Sequence, residues 1–407
     1  AGGWMRAAEA SADDLEIPET IRLTIEQQVA RLGSRERRLL DAASVSPANC
    51  AAAVIAAAAG MTVVEVEALL TPLARRGAFL REREPIEWPD GTVSASYDFV
   101  HSLYREVLYA RIFAAQRAEF HHQVGVRLES AFGARAPQIA GELAVHFERA
   151  RELPRAIRYL LHVAETDAGR SAHESAQRHY RHALALIENL PPCAERDRNE
   201  AASRIGLAGV LTQLRGWGAI EVEHEYARAQ ELCERHGAHD LSFLASWNLW
   251  VGSIARGQIS DAHDRSRAVF DLACCSASPS VRLQGHHALW TTAFARGEFQ
   301  QVPVHVAAGI ALYQPEELHL QSYGSHDPCV CARAFQARAA ALCGQPATAA
   351  RAIEAALALA RRIGHPFTLS FSLMHASAVW LEIGNAQTAL VCAAEAARIA
   401  EEQDFSL

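Results

Sequence analysis

Apolar positions recur with helical spacing over nearly the whole chain. After Pro18, Ile21, Ile25, Val29 and Leu32 share one face, and Ser34 precedes a second helix carrying Leu39 and Leu40. An alanine-rich run predicts a short helix from about Cys50 to Ala59. Thr62 is placed to cap the next helix, which presents Val66, Leu69, Leu70 and Leu73 and ends at Gly77. The pattern then changes to two extended pieces, Ala78 to Arg83 and Val93 to Phe99, around the turn signal Trp88-Pro89-Asp90-Gly91. Helical spacing returns with Val100, Leu103, Val107 and Leu108 and continues through Ala114 to Leu128 and residues 137–150. Ala156, Tyr159, Leu160 and Val163, followed by Ala176, Tyr180, Ala183 and Leu184, predict a helical pair closed by Pro191-Pro192.

From about residue 197 a mark repeats roughly every forty residues. A glycine is followed, five and twelve positions later, by small or branched apolar residues: Gly257, Ala262, Val269; Gly297, Val302, Gly309; Gly344, Ala349, Ala356; Gly384, Ala389, Ala396. A weaker copy runs from Gly216 to near Ala229. The glycine suits the left-handed bend between two helices, and the small residues fall on one face of the second helix, where a neighbour can approach closely. This is the logic of tetratricopeptide repeats with helices about one turn longer. In two units the first helix carries aromatic residues at matching places: Trp250 and Trp290 lie seven positions before their glycines, Trp247 and His287 ten. First helices line the concave face of such stacks, so these four residues are either inter-helix core or the wall of a partner-binding groove.

The pattern therefore predicts a mainly all-α chain: a small winged-helix domain followed by a right-handed α-α superhelix of tetratricopeptide-like repeats. The expected divisions are 1–16 as linker or the end of a preceding domain and 17–113 as the winged helix. A helical linker with the first repeat pair follows over 114–196, and the solenoid, truncated at its C-terminus, over 197–407. The winged helix raises a DNA-binding reading. Its third helix, however, opens with Glu65 and Glu67 and keeps Arg75 and Arg76 for its end, the wrong arrangement for meeting phosphates.

Composition narrows the chemistry. Half of the 407 residues are apolar, 7% are aromatic and the net charge is −8, with no basic run that would attract nucleic acid. All 39 positive side chains are arginine, which excludes a Schiff-base lysine and the lysine of a P-loop. No stretch is apolar for the ~20 residues that a membrane helix needs. The nine cysteines show no disulfide spacing and fit a reducing cytoplasm. The densest group of metal-ligand types is His326-Asp327-Pro328-Cys329-Val330-Cys331. Its Cys-x-Cys has no second pair at zinc-finger spacing, and Asp-Pro reads as a helix start, so no metal is expected. Adjacent histidines, His121-His122 and His286-His287, point to different helix faces. His179 and His182 show no carboxylate partner in the sequence. With no nucleophile elbow and no phosphate loop, the chain reads as a non-enzyme.

With these residues in view the chain resembles the bacterial multidomain STAND-class predicted ATPases. In these a P-loop ATPase precedes a winged helix and a tetratricopeptide-like region, often fused to a class III adenylate/guanylate cyclase or a transcription-regulator domain. The matching stretches include IPETIRLTIEQQVARLGSRERRLLDAASV, EWPDGTVSASYDFVHSLYREVLYARI and ELAVHFERARELPRAIRYLLHVAE. The resemblance implies a cytoplasmic regulatory fragment with no cofactor of its own, while ATP or ADP binds an upstream ATPase domain outside these residues. It also implies a protein or small-molecule inducer on the solenoid. One position carries a mechanism: the family's ADP-sensing histidine matches His101 in Val100-His101-Ser102-Leu103, with Ser102 where the family has aspartate. Two other readings stand beside this one, a standalone scaffold for a peptide or protein partner and a DNA-binding transcription regulator.

Overall fold

Thr62 starts a helix by reciprocal capping: the Glu65 N–H donates to its hydroxyl (3.3 Å) and its own N–H donates to the Glu65 carboxylate (3.0 Å). In the computed structural model, which describes residues 18–46, 50–236, 239–314 and 326–403, this helix is α4 (Val63–Arg75). Before it come α1 (Glu19–Ala30), α2 (Ser34–Ser44), β1 (Cys50–Ala51) and α3 (Ala52–Ala59). After it come β2 (Leu80–Glu87), β3 (Val93–Phe99) and α5 (Ser102–Arg111). The strands form one antiparallel sheet in the order β1-β3-β2. The alanine-rich run is thus not all helix. Cys50 and Ala51 pair with Tyr97 and Ser96 of β3, and α3 begins only at Ala52. The first extended piece runs further than its alternation indicates, to Glu87, because a bulge between Arg83 and Ile86 accommodates Pro85, which has no N–H to give the ladder.

The rest of the first half is α6 (Ala114–Phe132), a 3-10 segment (Gly133–Ile139), α7 (Ala140–Arg149), α8 (Leu153–Gly169) and α9 (His173–Glu188). Arg127 of α6 clamps the β2–β3 turn. Its guanidinium lies 4.7 Å from the Trp88 ring and donates to the Asp90 carboxylate and the Thr92 hydroxyl, each at 2.7 Å. Those bonds, Arg127 first, hold the Asp90 carboxyl down at about 2. One apolar core runs from Ile25 of α1 through Leu70, Leu108 and Phe120 to Ala183 of α9. The chain divides into two compact units at 190/191, beside Pro191-Pro192, whereas the expected divisions were at 113/114 and 196/197. At 113/114 the helix changes and the core does not.

The second unit is a series of helical hairpins: α10 (Ala194–Arg215) with α11 (Ile220–His236), α12 (His239–Ala255) with α13 (Ile259–Cys274), and α14 (Pro279–Ala295) with α15 (Val302–Ile310). Then come α16 (Pro328–Leu342) with α17 (Pro346–Ile363), and α18 (Pro366–Glu382) with α19 (Ala386–Glu402). Each second helix packs on the following first helix, and the first helices α10, α12, α14, α16 and α18 touch in sequence to make a continuous row. The bend glycines Gly216, Gly257, Gly297, Gly344 and Gly384 all take positive φ, between 69° and 87°, where a side chain would be strained. The small residues after them are buried, among them Ala262, Val269, Val302, Ala349 and Ala356. Gly309 shows why size matters there: a Cβ on it would stand 2.7 Å from the Trp290 ring. Among the described residues no single helix is long and apolar enough to cross a membrane.

Histidines fill polar positions inside both units. His179 and His182, which have no visible partner in the sequence, each find a carboxylate at 3.1 Å on an earlier helix, Asp167 of α8 and Glu148 of α7. Within the first unit His121 and His146 are buried with their Nδ1 atoms 3.0 Å apart, and Tyr109 Oη lies 3.1 Å from His121 Nε2. The two contacts form a chain from Tyr109 through His121 to His146 in which each pair shares one proton, its direction set by the histidine tautomers. Burial first, then His146, Arg149 and Arg117, lowers His121 to about 3; burial and Arg149 lower His146 to about 4. Both stay neutral in the fold and take up protons near 6.5 when unfolded. Their contribution is complete above about pH 6.5 and declines as pH falls toward about 4, by up to ~1.4 kcal/mol per pH unit for each histidine. Unfolding curves across that window should show a shallower pH dependence for His121→Gln than for the natural chain. Equal slopes would contradict the assignment.

Candidate functional site

The row of first helices encloses the site. Trp217, in the bend before α11, joins Trp247, Trp250, Val251 and Ile254 of α12, His287 and Thr291 of α14, and Cys331 and Phe335 of α16. With His326, Phe367 and Phe371 they line a cavity of about 260 Å³. The sequence-predicted groove residues divide here. Trp247, Trp250 and His287 line the cavity, while Trp290 does not. All four are buried, and what sets Trp290 apart is that its ring turns toward α15 and packs against Gly309. Trp250 is fixed by its indole N–H, which donates to the Thr292 hydroxyl at 2.8 Å. Trp247 meets Trp217, Trp250 and His287 edge-on at centroid distances of 6.5, 5.6 and 6.0 Å. Edge-to-face rings of this kind present a rigid apolar wall.

The polar end of the cavity is made of residues one repeat apart. His287 Nε2 lies 3.4 Å from Cys331 Sγ, and His287 Nδ1 lies 2.9 Å from Gln284 Oε1. Since Oε1 can only accept, Nδ1 carries the proton and Nε2 turns its lone pair to the thiol. Burial, with His326 adding, keeps the His287 imidazole far below its ordinary value and therefore neutral. The His287 ring stacks on Trp290 (4.9 Å, 17°) and the His326 ring on Phe371 (4.3 Å, 7°). As its sequence indicates, Asp327 starts a helix, accepting the Val330 N–H at 2.8 Å with Pro328 in the first turn. Local reading missed the link from His326 and Cys331 back to His287. The available signal was that His287 and Cys331 occupy the first helices of consecutive repeats. The neighbouring histidine, His286, points the other way, to His305 (Nδ1 to Nδ1, 3.4 Å).

In the first unit His101 is the N-cap of α5. Its Nδ1 accepts the Leu103 N–H at 3.2 Å, and its ring is exposed beside an open groove lined by Thr20, Thr24 and Gln28 of α1 and by Tyr104. Because Nδ1 accepts, the neutral ring carries its proton on Nε2.

No family model matches the chain. An uncharacterized protein of Rhizobium meliloti (strain 1021) is 26% identical over 286 residues, a match covering 68% of this chain and 27% of that protein. The chain thus spans little more than a quarter of the length of the curated relative it matches. Among solved structures, aspartyl phosphate phosphatase F from Bacillus subtilis superimposes with a TM-score of 0.51 at 11% identity, covering 94% of this chain and 88% of that one. A signal transduction ATPase with numerous domains (STAND) carrying a tetratricopeptide repeat sensor, from Pyrococcus horikoshii, gives 0.46 at 13% identity, covering 96% and 60%. The fold is mainly all-α and tetratricopeptide-like. In such a solenoid the side chains of the first-helix row are those that several repeats share, and it is this row that builds the cavity.

Proposed function

We propose that this chain is the regulatory sensor region of a larger STAND-type signalling ATPase and performs no catalysis itself. One observation carries the reading: an aromatic-walled cavity formed jointly by the first helices of four successive hairpins, α12, α14, α16 and α18. Its size, just below the ~300–1,000 Å³ usual for ligand sites, suits a small apolar molecule or one anchoring side chain of a protein partner. An occupant touches all four hairpins, so it favours whichever arrangement of them fits it best, and differential affinity of that kind is what shifts a two-state equilibrium.

The first unit supports the coupling half of the proposal. Its order of helices, β1, two more helices and the β2–β3 hairpin is that of a winged helix. The carboxylates at the start of α4 are engaged within the fold: Glu65 caps its helix and Glu67 accepts the Ala95 N–H at 2.8 Å. That favours a structural winged helix over a DNA reader. His101, with Nδ1 used as a cap, keeps Nε2–H to donate to a phosphate oxygen of ADP on the absent nucleotide core.

Calorimetric screening of small aromatic and aliphatic compounds and apolar peptides tests the sensor. A saturable ligand should be found, and Thr291→Phe, which grows a ring into the cavity, should abolish its binding while the fold persists by circular dichroism. Undiminished binding to Thr291→Phe would remove the cavity from the proposal.

A further inference from the structure

We infer that His287, His326 and Cys331 form a binding site for a zinc-class transition-metal ion, with the aromatic cavity at its open coordination position. The inference rests on donor geometry alone and holds whether or not the cavity also takes an inducer.

The donors suit such an ion. Two imidazoles and a thiolate are the borderline-to-soft set that zinc prefers over magnesium or calcium, and three protein ligands with a free fourth position is the pattern of an open zinc site. The three donor atoms lie within 4.8 Å of one another. Ligands on a common ion at ~2.3 Å for sulfur and ~2.0 Å for nitrogen stand roughly 3.5 Å apart in tetrahedral geometry. His287 Nε2 and Cys331 Sγ are already at 3.4 Å, and His326 needs to close by only about an ångström to complete that geometry.

The supporting contacts are those a ligand set needs. A metal-binding imidazole characteristically donates its other N–H to an oxygen acceptor, which fixes the tautomer and aims the lone pair. Gln284, itself buried, does this for His287 from one turn earlier on α14. Stacking on Trp290 and Phe371 sets the planes of the two imidazoles. Charge is also accommodated. Binding displaces the Cys331 proton to solvent, leaving a thiolate and a divalent ion with a net single positive charge, close to the carboxylate of Asp327 next to His326 in the chain. The cavity that the three donors share is walled by Trp247, Trp250 and Phe335, which carry no ligand atom, so water or a small incoming donor would complete the sphere. An ion there would join α14 to the start of α16 and lock one repeat to the next.

Cobalt(II) is the probe, added to the metal-free 407-residue chain, followed by displacement with zinc. The expected result is one cobalt per chain with a thiolate charge-transfer band and the visible absorption of tetrahedral cobalt, both bleached by zinc. Cys331→Ser should remove the charge-transfer band, and Cys329→Ser, at the neighbouring buried cysteine, should leave it. Gln284→Ala should weaken zinc binding by roughly 10–100-fold, and His326→Gln, at a half-buried site that tolerates exchange, by more. Circular dichroism of each variant separates loss of ligand from loss of fold. A natural chain that gives no such band overturns the inference. So does a band that survives Cys331→Ser and disappears when the exposed pair Cys274 and Cys275 is replaced. Failure of the inducer screen would leave these spectra unchanged, so the two ideas fail separately.

Discussion

Replacing Trp290 with alanine should lower the unfolding free energy by ~3–5 kcal/mol, the range for deleting a buried aromatic ring. The ring is fully buried among Leu283, Ala293, Val302 and Val306, and it supports the His287 stack. The site cannot collapse easily, because the gap would lie inside the α14–α15 hairpin, whose two helices are also held from outside by α13 and α16. Gly309→Ala attacks the same contact from the other side. Its new methyl would meet the ring at 2.7 Å and should cost ~1–3 kcal/mol by overpacking. Combined, the two changes should cost less than their sum, since the methyl then occupies space the ring has vacated. Denaturant unfolding of the four proteins measures this. Strict additivity would mean that the two residues do not share the interface described.

Asp327→Ala should cost ~2.5–4 kcal/mol. About 1 kcal/mol is the helix cap, and roughly 1.5–3 kcal/mol is the hydrogen bond to a charged group. Asp327 is buried, takes the Val330 N–H at 2.8 Å, and accepts the Tyr313 hydroxyl at 2.7 Å. Burial first and that hydrogen bond second push the Tyr313 phenol well above its usual ionisation range. Asp327→Asn keeps the cap and an acceptor and should cost less than half as much. Spectroscopic titration adds a readout that packing loss alone would not move: Tyr313 should ionise at lower pH in Asp327→Ala than in the natural chain. An unchanged phenol titration would show that Asp327 does not govern Tyr313.

The repeat was legible because its causes are local. A bend with positive φ calls for glycine, and a close helix contact calls for a small residue, so Gly257 with Ala262 and Val269 declares itself in a dozen positions. β1 was not legible. Cys50 and Ala51 sit in a run that prefers helix, and their strand state comes from Tyr97 and Ser96, far along the chain. The aromatic wall was visible in part: matching positions singled out Trp247, Trp250, His287 and Trp290, but which way each ring turns depends on whether Gly309 or open space faces it. The His287–Cys331 contact was hidden for a related reason. It depends on how α14 packs against α16, a contact between residues 44 positions apart in the chain.

The apolar interior of the second unit is a succession of clusters, one gathered around Trp247 and Trp250, the next around Trp290, and another across α16 to α19. Each is sealed mainly by its immediate neighbours, as in other quasi-linear arrays. Stretched between its ends in an optical trap, such a molecule would lengthen in a sawtooth of small rips, each the size of one or two hairpins. A globule with one shared interior would instead yield in a single event.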